Sequence, residues 1–175
     1  MKILKIVLIV IGILIAIPFI IALFVSRSYE VSRSVSVNKP KAEVFDYLKH
    51  VKNQDDYNAW VKMDPNIKKE FRGEDGKVGF VYAWESEKAG KGEQEITGIK
   101  EGEELDLQLR FKEPMEGLAT ATFYTEEVSP SETKVTWKMA GSSPYPFNFM
   151  NLFNGSMIGG AFEQGLSDIK SVLEK

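Results

Sequence analysis

The sequence predicts an α+β fold in which a curved antiparallel sheet wraps around a long carboxy-terminal helix, preceded by one transmembrane helix. Three observations carry this expectation. Ile6 to Val25 are 20 consecutive apolar or small residues without a charge. Leu105, Leu107, Leu109 and Phe111 alternate with Asp106, Gln108, Arg110 and Lys112, the clearest period of two in the chain. The last segment returns to helical spacing, with Ile158, Phe162, Leu166, Ile169 and Leu173 on one side.

At about 1.5 Å per residue, a helix over residues 6–25 is about 30 Å long, the hydrocarbon thickness of a bilayer. A cleaved secretory signal is the competing reading, since Lys2 and Lys5 precede the run. Its apolar core is usually about 7–15 residues and ends at small residues. Here the exit is Leu23-Phe24-Val25-Ser26-Arg27, which is bulky where a peptidase needs small side chains. Apolar residues surround the whole helix rather than one stripe, which leaves a buried core helix as the remaining alternative. Pro18 is compatible with spanning, and Gly12 with Ala16 forms a single small-xxx-small pair. The expected division is an anchor over residues 1–26 and a domain over 27–175. Basic residues flank both ends of the run, and the expected orientation places the domain outside the cytoplasm.

Lys2 and Lys5 are the only charges before Val25, so the domain carries 20 of the 22 basic residues against all 25 acidic ones. That balance argues against nucleic acid as a partner. There is no cysteine, which excludes disulfides, thiolate catalysis and thiolate metal sites. About 149 residues suffice for one domain with a sizeable core.

Tyr29 to Val37 alternates Val31, Val35 and Val37 with polar residues, as a half-exposed strand does. Asn38 is placed to cap and Pro40 to open a helix, along which Val44, Phe45, Leu48 and Val51 follow at helical spacing. A second short helix is expected from Asp55 to Trp60. Phe80, Tyr82 and Trp84 share a strand face, and Ile96 lies on the next strand after a turn around Gly90 and Gly92. Ala119, Ala121 and Phe123, then Val135, Trp137 and Met139, mark two further strands. Polar turns at residues 73–76, 101–104 and 129–132 separate these runs. The terminal helix needs a partner surface, and the sheet is the large one available. Its Gly159, Gly160 and Gly165 each cost about 1 kcal/mol relative to alanine. Close packing is the plain explanation; room for a ligand is the other.

This order of elements resembles the START-like (SRPBCC) superfamily, in its polyketide cyclase/dehydratase-type branch. The residues that carry the likeness are Asn38-Lys39-Pro40 with Val44-Phe45 and Leu48, then Trp60, Trp84, Gly92 and Ile96. Leu107-x-Leu109-x-Phe111 with Pro114, Thr133-x-Val135-Thr136-Trp137, Gly165-Leu166 and Ile169-Lys170 complete it. The resemblance implies a helix-grip fold with an apolar pocket between sheet and terminal helix. It implies no reaction, because one fold hosts many functions.

The residues offer little catalytic chemistry. His50, the only histidine, lies at a polar helix end and reads as solvated. Without cysteine, it leaves no zinc site. Asp55 and Asp56 point apart if helical. Glu93 and Glu95 share a strand face and would form an acid/base pair only if that face were buried. Gly90-Lys91-Gly92 lacks the rest of a phosphate loop, and Ser142-Ser143 lacks a nucleophile-elbow context. The expectation is no catalytic residue, no metal and no cofactor.

Aromatic residues are the stronger lead. Core packing is their ordinary role, and lining an apolar cavity is the alternative that the resemblance adds. The residues expected around a ligand are Trp60, Phe80, Tyr82, Trp84, Leu107, Leu109, Phe111, Trp137, Met139 and Phe162. Tyr82, the Trp84 and Trp137 indoles, and Arg110 or Gln94 if either points inward, are the candidate orienting groups. Pro144 to Phe153 is apolar for a loop: a lid, a surface resting on lipid, or a segment tucked over the sheet edge. The function expected is membrane-anchored binding of a small hydrophobic molecule, a lipid, isoprenoid or polyketide-like compound, with the membrane contacted through residues 6–25. A cyclase or dehydratase-type enzyme and a protein-interaction domain of the heat-shock ATPase activator type are the alternatives.

Overall fold

The computed structural model describes residues 2–175. Helix α1, Lys2–Ala22, has 21 residues and so extends about 31 Å. Nearly all its side chains face outward, Ala22 alone being buried. The helix is long and apolar enough to cross a membrane. It stops short of the expected Val25: Leu23 and Phe24 close a turn through backbone bonds to Ile20 and Ile21.

The domain that follows comprises β1 (Ser28–Val37), α2 (Lys41–Lys49), α3 (Gln54–Tyr57), α4 (Ala59–Met63), β2 (Lys68–Arg72), β3 (Val81–Ser86) and β4 (Gly90–Lys100). After these come β5 (Glu104–Glu113), β6 (Gly117–Ser129), β7 (Glu132–Ser142), a 3₁₀ turn at Phe147–Met150, and α5 (Asn151–Leu173). The seven strands form one sheet in the order β1-β7-β6-β5-β4-β3-β2, and every pair is antiparallel. Only its inner face is covered. The inward residues of β5, β6 and β7 meet Val44, Phe45 and Leu48 of α2, and Phe162, Leu166, Ile169 and Leu173 of α5. This is the alternation a one-sided sheet requires.

A column of rings joins sheet to helix. Trp137 stacks on Phe123 at 4.7 Å and on Phe162 at 4.2 Å between centroids. Tyr57 meets Phe123 and Trp137 edge-on. Gly165 lets α5 come this close: a Cβ there would lie 2.8 Å from Trp137 Cζ3 and 3.0 Å from the Tyr57 carbonyl oxygen. Gly159 is likewise covered, by the Arg33 guanidinium. Close packing thus accounts for these two glycines, whereas Gly160 faces open space.

Local details differ from the sequence expectations. Asn38 does not cap α2; its backbone N–H donates to Glu174 at 2.6 Å, and Pro40 occupies the cap position. The helix expected over Asp55 to Trp60 is two short helices, because Asn58 is extended (φ −73°, ψ 115°) and its side chain accepts from the Trp60 N–H. That bond starts α4 as an N-cap. The turn expected around Gly90 and Gly92 falls earlier, and Gly92 lies inside β4 under the Trp84 ring. Strand β2, Lys-Lys-Glu-Phe-Arg, lacks a hydrophobic alternation because it is the sheet edge, where charge discourages further pairing.

Gly165→Ala is expected to destabilise the domain by about 1–3 kcal/mol, since neither the sandwiched indole nor the Tyr57 backbone can yield. Gly160→Ala is expected to stabilise it by about 0.5–1 kcal/mol through helix propensity alone. Denaturant titration of both variants checks the opposite signs.

Candidate functional site

The strand register places all entries and turns of one kind at one end of the sheet. Ser28 pairs with Ser142, Tyr29 with Gly141, Gly141 with Ala119, and Ala119 with Leu109. Phe111 pairs with Gly92 and Gly92 with Trp84. The β3–β4 and β5–β6 turns, the exit to α5 and the arrival from α1 therefore share this end. Between it and the first turns of α5 lies a cavity of about 260 Å³.

Its floor is formed by Trp137, Phe162, Met139, Leu107, Ala121 and Tyr82, all buried. Toward the mouth the wall becomes partly exposed, through Tyr29, Trp60, Trp84, Leu109, Phe111 and Ile158. Of the ten residues expected around a ligand, nine border this cavity; Phe80 does not. It precedes β3 on the side away from the mouth, stacks on Phe71 at 6.1 Å and lies under the Lys52 ammonium. Sharing a strand face with Tyr82 fixed its direction but not its distance from the open end.

A buried amide pair forms the polar wall. Gln54 Nε2 donates to Gln94 Oε1 at 3.2 Å, and Gln94 Nε2 donates to Gln54 Oε1 at 2.8 Å. Asn58 Nδ2 also donates to Gln54 Oε1, at 3.0 Å. Each glutamine retains one amide hydrogen outside this network, and Gln94 Oε1 retains an acceptor site. Gln94 thus points inward, and Arg110 points outward. Gln54 gave no signal in the sequence, because only the packing of α3 on β4 makes it a neighbour of Gln94. Tyr29 and Ile158 were read as strand and helix residues without a place at the cavity.

Most of the remaining polar groups are occupied, Trp137 Nε1 being the exception. Tyr82 donates to Asp55 at 3.3 Å, and burial, reinforced by the Asp55 charge, holds its phenol protonated far above the ordinary range. Burial also raises Tyr29. The Trp84 indole donates to the Ala89 carbonyl at 3.4 Å, while the Trp137 Nε1 is buried without a partner. Asp55 binds Lys69 and Asp56 accepts from Tyr47, so the two carboxylates serve separate contacts. His50 sits beside Asp75 on the surface, and Ser143 donates to Asn151.

Glu93 and Glu95 lie on the outer face. Glu93 accepts from Arg110 at 3.0 Å, Arg72 at 2.9 Å and Lys112 at 3.3 Å, and Glu95 is bound by Arg110. These cations, Arg110 foremost, pull the Glu93 carboxyl down to about 2 from its ordinary 4.5. It is a permanent anion, unsuited to exchange protons near neutrality.

No family model matches the chain, and no curated protein matches it in sequence. Solved structures do resemble it. The Zhui aromatase/cyclase from Streptomyces sp. R1128 superposes with a TM-score of 0.64 at 12% identity, covering 84% of this chain and 94% of its own. Norcoclaurine synthase from Thalictrum flavum, in complex with dopamine and hydroxybenzaldehyde, gives 0.64 at 11% identity, covering 89% and 91%. A protein from Chromobacterium violaceum gives 0.61 at 12%, covering 83% and 97%. The chain has the helix-grip fold that these proteins share.

In the unfolded chain Glu93 titrates near its ordinary value, so the stabilisation it gives is fully present above about pH 4.5 and fades as pH falls toward 2. Glu93→Gln is accordingly expected to melt below the parent at pH 7, with the gap closing between those limits. Melting curves across that range test it, and a gap constant with pH refutes the assignment.

Proposed function

We propose that this chain is a membrane-anchored protein that binds a small hydrophobic molecule, through residues 27–175, between the sheet and α5. The observation carrying the reading is the cavity itself: apolar walls, the amides of Gln54, Asn58 and Gln94, and, among the described residues, no carboxylate, imidazole, ammonium or guanidinium on its lining. Such walls with a few placed polar groups are the usual chemistry of small-molecule sites. At about 260 Å³ the space is just below the about 300–1,000 Å³ of typical sites. It suits a compact ring system or one end of a longer chain. The spare amide hydrogens of Gln54 and Gln94 favour a ligand with an oxygen acceptor at its inner tip.

Two features support anchoring through α1 over removal of that helix as a signal. Asn148 Nδ2 donates to the Ala22 and Val25 carbonyls at 2.7 and 2.8 Å, and Asn151 Nδ2 to those of Ser26 and Arg27 at 2.9 and 3.1 Å. The domain thus grips the end of the helix on both sides of any cut after Val25. Ring closure by an enzyme is the second reading, favoured by the aromatase/cyclase among the fold neighbours. The lining offers it only tyrosines, and Tyr82 is held protonated.

The full chain in lipid nanodiscs is expected to bind anthracenemethanol saturably, and anthracenecarboxylate about tenfold or more weaker at pH 7, because a buried charge would find no cation. Ala121→Phe, which fills the floor, and Leu109→Trp, which narrows the mouth, are each expected to weaken binding. Fluorescence titration decides it: no saturable binding, or binding unchanged in both folded variants, refutes the proposal.

A further inference from the structure

The exposed apolar side chains of the domain gather at one pole. Phe147, Met150, Leu152, Phe153 and Met157 project from the 3₁₀ turn and the first turns of α5, with Met157 63% and Leu152 60% exposed. Met115 and Leu118 extend the patch along the β5–β6 hairpin. Met63 belongs to the same pole, since its carbonyl accepts from Lys88 in the β3–β4 turn. Phe71, Val78 and Val128 are the large apolar residues exposed elsewhere on the domain. The opposite pole holds the β4–β5 and β6–β7 turns and is charged, with Glu104, Glu127 and Glu132 beside the Lys49–Glu101 and Lys100–Glu103 pairs.

The apolar pole is also where α1 arrives, and the junction is fastened. Asn148 is 1% exposed and bonds the last carbonyl of α1 as well as that of Val25. Phe19 of α1 meets Tyr145 edge-on at 6.3 Å. Phe24, just past the helix, is 85% exposed. A connection this short and this tightly bonded leaves the domain no room to stand away from the end of α1.

From this continuity we infer that the apolar pole is seated in the headgroup and upper acyl region of the leaflet from which α1 emerges, so that the cavity mouth opens onto lipid. This rests on the proposed anchoring. The charged opposite pole then faces water. Tyr29 fits a position at the threshold: it borders the ligand cavity and also a second hollow of about 230 Å³ bounded by Val25, Ser28, Asn151, Leu152 and Gly155, beside the end of α1. A hydrophobic ligand partitioned in the bilayer would enter past Tyr29 without crossing water.

The absence of cysteine makes the test direct. Single variants Ile13→Cys, Phe153→Cys, Met157→Cys and Glu132→Cys of the full chain are labelled with an environment-sensitive fluorophore in phosphatidylcholine vesicles containing headgroup-proximal nitroxide lipids or deep acyl-chain nitroxides. The expected result is quenching by shallow nitroxides at 153 and 157, quenching by deep nitroxides at 13, and a water-like signal at 132. Quenching at 13 with water-like signals at 153 and 157 overturns the seating while leaving the anchor intact. No quenching at 13 overturns the anchor and the seating together. Leu152→Glu combined with Phe153→Glu supplies a second measurement: Met157→Cys is expected to lose its shallow quenching in that background, and retention of it counts against a seated pole.

Discussion

The stack of Phe123, Trp137 and Phe162 fixes the distance between sheet and terminal helix, and the rest of the domain is arranged on either side of it. Beyond the stack, toward the end of α5, Leu166, Ile169 and Leu173 are buried in the same core as α2 and the sheet. On the other side Ile158 and Phe162 are the side chains α5 contributes to the cavity. The ring stack holds α5 off the sheet at this level, and the hollow lies on the side of the stack nearer the start of the helix. Filling such a space would require α5 to move inward, which the Gly165 contact with Trp137 and Tyr57 already limits.

Much of this was legible in the chain, and the reason is periodicity. Leu105 to Phe111 announced a strand and its inward face together, and the stripe from Ile158 to Leu173 announced the helix that covers it. Period two says which face a residue takes, not how far along the sheet the helix leaves a gap, so Phe80 was expected at the cavity and packs outside it. Edge strand β2 was invisible because its residues answer to solvent rather than to a core. The break at Asn58 turned on one side-chain bond to a backbone N–H, which outweighed the helical spacing of Asp55 to Trp60. Gln54 and Gln94 are 40 positions apart, and no local pattern marks an amide whose partner is brought by tertiary packing.

Charge is sorted by face. Arg72, Arg110 and Lys112 hold Glu93 on the outer surface, where water can screen what the ion pairs leave uncompensated. The inner wall instead uses neutral amides, which satisfy one another at short range and avoid the desolvation cost of a buried ion. Proton transfer needs a group whose charge can change at the reacting atom. Here the charges are outside the cavity and the inner hydroxyl, Tyr82, is held protonated by burial and Asp55.

Under the proposed function, the same sorting narrows what the cavity would accept. A carboxylate tip would lose its hydration and gain amide hydrogen bonds without a cation, an exchange that burial of charge makes unfavourable. A hydroxyl, ketone or ester oxygen loses far less and can use the same donors. Neutral molecules of this kind partition into bilayers, and the mouth opens at the end of the domain that receives α1. The ligand polarity proposed above, the cavity lining and the position of the mouth thus rest on one arrangement: an uncharged hollow built at the end of the sheet that adjoins the apolar helix.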